Sequence, residues 1–348
     1  MRRLIVGLVA AALAAVTLAG CDAGAERSGA IALLLPDKKT ARYETFDRPV
    51  FEERIAEMSD RDVLYMNADQ DAARQQQQAE SALASGAAVL VLDPVDGRAA
   101  ASILASATAE GVPVIAYDRM IVGGGAPAFA VSFDNERVGE LQADALVDAL
   151  TERGESGGGI LMVHGAPTDS NAAEFRDGAQ RVVSEAGLRV LAEYDTHDWS
   201  PDKAQAWVAG QIAHYGDEIV GVYAANDGTA SGAIAALRAA AVSPFPVVTG
   251  QDAELAALQR IVSGDQYMTV YKALREQATI AADAALLLAD GEEPVGQTVV
   301  DGVPTTLLEP VAVTVDTIAE TVVADGFWRV ADICTPAYAP ACAAAGLP

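Results

Sequence analysis

The chain has 348 residues, which at about 100 to 200 residues per domain corresponds to two domains. A hydrophobic fraction of 51% excludes disorder as a description of the whole chain. It carries 23 Lys and Arg against 49 Asp and Glu. The net charge of −26 would repel a phosphate backbone, so we predict no nucleic-acid partner.

The N-terminus differs in composition from the rest of the chain. Two arginines precede an uncharged apolar run from Leu4 to Leu18, which is short for a spanning helix and typical of an export signal. The run ends in LAGC, residues 18–21, which resembles the lipobox of bacterial lipoproteins. We therefore expect a signal peptide over residues 1–20, lipid on Cys21, a tether over residues 21–29, and a location at the outer face of the cell membrane or in the periplasm.

From Ala30 onward, short apolar runs alternate with longer helical patterns, which predicts an α/β fold with parallel sheets. The candidate strands are Ile31 to Leu35, Val63 to Met66, Ala88 to Leu92, Val114 to Tyr117, Phe129 to Ser132, Ile160 to Val163, Arg189 to Ala192, Val220 to Ala224, Val247 to Thr249 and Met268 to Tyr271. Ten strands are more than one sheet holds comfortably, so we expect two sheets.

Three local patterns concern the helices. Asp134 is placed to cap the helix that follows the fifth strand, and Ser200 offers a capping hydroxyl before Pro201 at a first helical position. Gln75 to Gln78 fall inside a helical pattern, where we predict a solvated face.

Polar residues follow five of the predicted strands, where ligands bind in open α/β sheets. They are Asp118-Arg119, Asp134-Asn135, Asn226-Asp227, Gln251-Asp252 and Lys272. Each alone also fits a helix cap, a turn or a solvent-facing charge. Together these groups can hydrogen-bond sugar hydroxyls, and Tyr43 and Trp199 can cover the apolar face of a ring. The set suits a small neutral polyol.

Patterns typical of enzymes are weak. His164, His197 and His214 lack the HExxH spacing, no Gly-x-Ser-x-Gly follows a strand, and the glycine runs at 123–125 and 157–159 lack the features of a P-loop or a dinucleotide fingerprint. We therefore predict no catalytic residue, cofactor or metal. Paired carboxylates leave a glycoside-acting enzyme open as an alternative.

Six segments together resemble the xylose-binding proteins of bacterial ABC sugar importers, within the ribose/galactose class of periplasmic-binding folds. They are AYDRMI (116–121), SFDNERVGELQADALVD (132–148), SNAAEFRDGAQ (170–180), AANDGTASGAIAAL (224–237), TGQDAEL (249–255) and MTVYK (268–272). The resemblance implies a monomeric binding protein, not an enzyme, that passes a monosaccharide to an ABC permease. D-xylose is favoured, with ribose, arabinose, glucose and galactose as alternatives. A transcription regulator shares this fold, but an export signal stands where its DNA-binding helices would lie.

The resemblance also implies two doubly wound parallel-sheet domains joined by a three-stranded hinge. The expected lobes are residues 30–132 with 273–293, and residues 133–272 with 294–333. The expected sugar contacts are Arg42, Tyr43, Asp118, Arg119, Asp169, Asn171, Trp199, Asn226, Asp252 and Lys272. The family more often has Trp where Tyr43 stands, and a Gly where His197-Asp198 stands. Asp252 alternatively caps a helix beginning near Ala253.

Cys334 and Cys342 form an even pair in an exported chain, so we expect a disulfide between them, with two free thiols as the alternative. Residues 334–348 are expected to be a tail outside the family fold. Ligand binding is therefore expected to survive reduction.

Overall fold

The structure is a computed structural model that describes residues 29–347. The predicted signal peptide, Cys21 and nearly all of the tether lie outside this range. Within residues 29–347, no helix is long and apolar enough to cross a membrane.

The strands of the described chain form two sheets, parallel except for the antiparallel edge strand β11 of the first sheet, and one separate antiparallel pair. The first sheet has the order β11-β12-β5-β4-β3-β1-β2, the second has the order β7-β6-β8-β9, and β10 pairs with β13. The strands are β1 Ile31–Leu35, β2 Val63–Asn67, β3 Val89–Leu92, β4 Val114–Tyr117, β5 Phe129–Phe133, β6 Gly159–His164, β7 Arg189–Asp195, β8 Ile219–Ala224, β9 Val247–Val248, β10 Met268–Tyr271, β11 Thr298–Val300, β12 Val303–Leu308 and β13 Val311–Thr314. All of the predicted strands are present, with small differences at their ends.

Helices cover both faces of both sheets. They are α1 Arg48–Met58, α2 Ala72–Ala84, α3 Ala101–Ala109, α4 Asn135–Glu152, α5 Ser170–Glu185, α6 Pro201–Tyr215, α7 Asp227–Ala239, α8 Leu255–Ser263, α9 Leu274–Ala289, α10 Val330–Ile333 and α11 Ala339–Ala344, with a π-helical turn at Tyr43–Asp47 before α1. Apolar clusters join α1 and α9 to one face of the first sheet, and α2 and α3 to the other. In the second sheet α4 and α5 cover one face, and α6 and α7 the other. This doubly wound α/β architecture confirms the predicted fold class.

The chain passes between the two sheets three times. We call the first sheet with α1–α3 and α9 the first lobe, and the second sheet with α4–α8 and the β10–β13 pair the second lobe. The crossings follow β5, β10 and β12. Gln251 and Val270 form a parallel bridge that brings β10 beside the end of the second sheet. Both lobes therefore direct the carboxyl ends of their strands towards the crossings.

One predicted lobe boundary differs from the structure. The sequence assigned residues 294–333 to the second lobe, but β11 and β12 belong to the first sheet, where β12 pairs in parallel with β5. β11 exposes two of its three residues and β12 contains Pro304, so neither shows the apolar run that predicted the other strands.

The helix starts agree only in part with the sequence patterns. The Asp134 carboxylate accepts a hydrogen bond from the Arg137 N–H at 3.0 Å, which confirms the predicted cap. Ser200 and Pro201 occupy the predicted positions, but the Ser200 hydroxyl makes no capping hydrogen bond. The solvated face predicted at residues 75–78 is wrong for Gln75, which is 2% exposed. Its amide donates to the Asp93 carbonyl and accepts from the Val95 N–H, because α2 packs against the end of β3.

The C-terminal segment is packed into the fold and is not a free tail. The sulfur atoms of Cys334 and Cys342 are bonded, and the Cα atoms lie 5.8 Å apart. Cys342 and Leu347 are buried in one apolar cluster with Phe133 and Leu308, which stand at two of the crossings. The Gln259 amide on α8 donates to the Asp332 carbonyl at 3.2 Å. The segment therefore supports the connection between the lobes.

We expect the Cys334–Cys342 bond to stabilise the protein by roughly 2 to 3 kcal/mol, because it closes a short loop in the unfolded chain. Urea unfolding with and without reductant measures this difference. The variant with both cysteines replaced by alanine is the control and should not respond to reductant. A wild-type midpoint that is insensitive to reductant would contradict the prediction.

Candidate functional site

A cavity lies between the lobes at the carboxyl ends of both sheets. The space among its lining residues that protein atoms do not fill is about 280 Å³, including the part that is open to solvent. All of the contact residues predicted from the sequence line it: Arg42, Tyr43, Asp118, Arg119, Asp169, Asn171, Trp199, Asn226, Asp252 and Lys272. Thr40, Phe175 and Gln251 line it as well and were not among the predicted contacts.

Two residues that follow β4 form the floor of the cavity in the first lobe. Asp118 has a left-handed backbone, with φ of 61°, and its carboxylate accepts hydrogen bonds from Arg42 Nη1 at 2.9 Å and from Gln277 Nε2 at 3.2 Å. Burial raises the pKa of Asp118, but the charges of Arg42 and Lys272 outweigh that effect and hold the pKa below its ordinary value. Asp118 is therefore ionised in the closed cavity.

Arg119 connects the first lobe to the second. Its Nη2 donates to the Tyr43 hydroxyl at 3.0 Å, and its Nη1 donates to the Pro94 carbonyl at 3.1 Å. Its Nε lies 2.9 Å from Oδ2 of Asp169, across the cleft. The same carboxylate oxygen accepts a hydrogen bond from Nε1 of Trp199 at 3.0 Å. Asp169 thus fixes both a cation of the first lobe and an aromatic ring of the second.

The second lobe contributes amides and an ion pair. Oδ1 of Asn226 accepts from the Thr229 N–H at 2.8 Å and caps α7, which leaves the amide nitrogen for the cavity. Nζ of Lys272 lies 3.0 Å from the Asp252 carboxylate, and both side chains are buried. The buried Oε1 of Gln251 has no hydrogen-bond partner in residues 29–347 and can accept from a ligand.

The alternative role for Asp252 is wrong. Helix α8 begins at Leu255 and its capping position is Glu254, so Asp252 does not cap it. Asp252 has φ of 95° and turns its carboxylate to Lys272 in the cavity.

Aromatic rings form the apolar walls of the cavity. Trp199 is 5% exposed, and Phe175 meets it edge to face with ring centroids 6.4 Å apart. A Cβ on Gly165 would overlap the Trp199 ring, so only glycine leaves room for the ring at this position. Nζ of Lys272 lies 5.7 Å from the centroid of the Phe175 ring. Tyr43 lines the first-lobe side. A ring held between such walls would have its C–H faces covered.

The lobes touch directly beside the cavity. The Gly97 N–H donates to the Thr168 carbonyl at 3.1 Å, and the Met120 N–H donates to the Ser170 hydroxyl at 2.9 Å. Nδ2 of Asn171 donates to the Asp118 carbonyl at 3.1 Å. These bonds join the two lobes in a closed arrangement.

The sequence contained a signal for one of the three additional residues. Gln251 stands next to Asp252 and belongs to the polar group noted after the ninth predicted strand. Phe175 lies inside the SNAAEFRDGAQ segment, but an apolar residue on a helix carries no mark of a ligand contact. Thr40 lies in a loop without a distinctive pattern.

Comparison with known proteins places this geometry in a family. Residues 31–293 match the family described as "Periplasmic binding protein domain". The D-xylose-binding periplasmic protein of Escherichia coli is 35% identical over 311 residues, covering 87% of this chain and 92% of that protein. The chain belongs to the periplasmic binding protein family.

Other members are similar over most of their length. The multiple sugar-binding periplasmic receptor ChvE of Rhizobium radiobacter is 31% identical over 348 residues, covering 93% of this chain and 98% of that protein. A solved ABC transporter solute-binding protein from Clostridium phytofermentans, with bound β-D-glucose, has a TM-score of 0.80 and 28% identity, covering 87% of this chain and 99% of that chain. The type I periplasmic-binding fold of this chain is thus shared with the solved neighbour.

Two acidic side chains of the second lobe, those of Asp227 and Glu254, influence each other's charge and neighbour the cavity residues Asn226 and Asp252 in sequence. The Asp227 carboxylate accepts hydrogen bonds from the Glu254 N–H at 2.9 Å and from Nε2 of Gln266 at 2.7 Å. Burial raises the pKa of Asp227 to about 7. Burial and the charge of Asp227 raise the pKa of Glu254 to about 8. The native state therefore binds more protons than the unfolded chain between about pH 4 and pH 8.

We expect the stability of the protein to fall as the pH rises from about 5 to 9, because the raised pKa values of Asp227 and Glu254 favour the folded state only while these groups stay protonated. Glu254→Gln should melt at the wild-type temperature near pH 5 and a few degrees higher near pH 9. Thermal unfolding across this range tests it, with Glu292→Gln at an exposed position as the control. Parallel pH profiles for Glu254→Gln and wild type would contradict the prediction.

Proposed function

We propose that this protein is an extracytoplasmic substrate-binding lipoprotein that captures a monosaccharide between its lobes and delivers it, as a monomer, to the permease of an ABC importer. The favoured sugar is D-xylose. One observation carries the proposal: side chains from both lobes close on a cavity that combines paired charges, amides and aromatic walls. This combination matches the alternating hydroxyl groups and C–H faces of a sugar ring.

The charges of the cavity favour a neutral ligand. Arg42 is paired with Asp118, Arg119 with Asp169, and Lys272 with Asp252. Since each cation already has a carboxylate partner, an anionic ligand would be buried without a free positive charge to offset its loss of water. Hydroxyl groups do not carry this cost, because they donate to carboxylates and accept from the N–H groups that remain.

The names of the similar proteins support a sugar as the ligand but differ in the sugar that they give. The relative named for D-xylose is 35% identical, and the one named for multiple sugars is 31% identical. The solved neighbour with bound β-D-glucose is 28% identical. We therefore propose D-xylose as the preferred ligand and treat other pentoses and hexoses as competing outcomes.

Calorimetric titration of the wild-type protein with D-xylose, D-ribose, L-arabinose, D-glucose and D-galactose ranks these ligands. We expect D-xylose to bind most tightly. Tighter binding of another sugar would replace xylose in the proposal, and no binding of any sugar would contradict the proposed function.

Asp252→Asn should weaken sugar binding by about 30-fold to several thousand-fold, because it leaves Lys272 without its charged partner in a closed cavity. The control is Asp265→Asn, which removes the exposed ion pair with Arg238 outside the cavity. Titration of both folded variants with D-xylose tests the site. Equal affinities for the two variants would contradict the assignment of Asp252.

A glycoside-acting enzyme is the second candidate, because the cavity contains several carboxylates. Glycoside hydrolysis commonly uses one protonated carboxyl group and one ionised carboxylate on either side of the bond. In this cavity, Asp118 is ion-paired with Arg42, and Asp252 is ion-paired with Lys272. Chromatography of an aryl xyloside and of D-xylose after incubation with the protein separates the candidates. Release of the aryl group would indicate an enzyme, and recovery of both compounds unchanged supports a binding protein.

The anchor rests on the LAGC sequence at residues 18–21. A diacylglycerol on Cys21 together with a further acyl chain would hold the protein stably at a membrane, since two or more chains are needed for stable anchoring. Cys21→Ser should abolish incorporation of labelled fatty acid and change how the chain is processed. Unlabelled wild-type protein in the soluble fraction would contradict the lipoprotein assignment.

A further inference from the structure

We propose that Asp47 and Gln277, which lie outside the cavity lining, position Arg42, and that the charge of Asp47 determines the charge selectivity of the cavity. This inference rests on the proposed function, because it concerns which sugars the same cavity accepts. Together the two residues limit Arg42 to a single free donor, and Asp47 also compensates its charge. The cavity therefore accepts neutral sugars and rejects sugar acids.

The contact between Arg42 and Asp47 follows from the π-helical turn at Tyr43–Asp47. A π-helix bonds residues i and i+5, so residues five positions apart lie on the same side of the turn. Nε of Arg42 donates to Oδ2 of Asp47 at 3.0 Å, and Nη2 donates to Oδ1 at 2.7 Å. This two-point contact fixes the plane of the guanidinium group.

Gln277 reaches Arg42 from helix α9, after the chain has returned to the first lobe. Its Oε1 accepts from Nη2 of Arg42 at 2.7 Å. Its Nε2 donates to Asp118 at 3.2 Å and to the Val131 carbonyl at 3.3 Å, so the amide has a defined orientation. Gln277 is fully buried. It therefore links the cation, the cavity carboxylate and strand β5.

The hydrogen bonds of Arg42 leave few of its N–H groups free to bind a ligand. A guanidinium has five N–H groups. Four of them donate to Asp47, Asp118 and Gln277. The remaining Nη1 N–H is the one Arg42 can offer to a sugar hydroxyl. A ligand carboxylate pairs best with two parallel N–H groups, and Arg42 has only one N–H group left to donate.

Charge compensation acts in the same direction. Arg42 forms ion pairs with two carboxylates, Asp47 and Asp118, at 2.7 and 2.9 Å. Asp47 is itself buried and accepts a hydrogen bond from the Tyr117 hydroxyl. The group of three charges is thus net negative, and it repels an anion placed in the cavity.

Asp47→Asn tests the inference, because the amide keeps the shape of the carboxylate and removes its charge. We expect D-xylose affinity to fall about tenfold or more, because Arg42 keeps only Asp118 as an ionic partner and its guanidinium reorients. We also expect the affinity ratio of D-glucuronate to D-glucose, two sugars that differ by a carboxylate at one carbon, to rise at least about tenfold. A purely structural role for Asp47 would not change this ratio.

Asp283→Asn is the matched control. Asp283 on α9 accepts two hydrogen bonds from the guanidinium of Arg54 on α1, one of them from Nε to Oδ1 at 2.7 Å. This ion pair lies at the surface, away from Arg42. The control should keep both the wild-type affinity and the wild-type selectivity. Binding of the sugars is measured by competition against D-xylose, after circular dichroism has shown that each variant is folded.

Gln277→Met provides a second test, since it removes the acceptor for Arg42 without removing a charge. Xylose affinity should fall while the glucuronate-to-glucose ratio stays unchanged. Wild-type affinity in Gln277→Met, or behaviour of Asp47→Asn equal to that of Asp283→Asn, would overturn the inference even if the wild-type protein binds D-xylose. Failure of the wild-type protein to bind any neutral sugar would instead overturn the proposed function.

Discussion

Burial of positive charge is the constraint on which the rest of the site depends. Arg42, Arg119 and Lys272 are almost fully buried, and an unpaired cation in such a place would cost several kcal/mol. Each is paired with a carboxylate, and the pair between Arg119 and Asp169 joins the two lobes. The need to satisfy these charges therefore fixes the side chains around the cavity and, through that pair, the closed arrangement of the lobes.

The fold brings the paired groups together by placing them directly after strands. Parallel strands in both sheets end at the cleft, so residues that follow β4, β9 and β10 meet there although they are distant in sequence. Asp118, Trp199 and Asp252 adopt left-handed backbones, with φ of 61°, 52° and 95°. Such conformations are costly for residues other than glycine. The hydrogen bonds and ion pairs of these three side chains hold them in place.

The connection between the lobes has its own packing, separate from the cavity. Phe133, Leu308 and the C-terminal Cys342 share one apolar cluster, so the end of the chain covers the crossings. Gln277 lies on the helix that follows the second crossing and contacts Arg42 directly. The C-terminal segment thus packs on the crossings, and helix α9 contributes Gln277 to the charge network of the first lobe.

The sequence by itself determined the fold class and most of the residues of the cavity wall. Alternating apolar runs and helical patterns identified the strands of both sheets, because burial of strands and helices leaves a local periodic trace. The segments AYDRMI, TGQDAEL and MTVYK contain Arg119, Asp252 and Lys272, and all three residues line one cavity. Only the tertiary structure placed β12 in the first sheet, added Phe175 to the wall, and brought Gln277 to Arg42 across 235 positions of the chain. These features depend on contacts between distant segments, and such contacts leave no periodicity or motif in either segment alone.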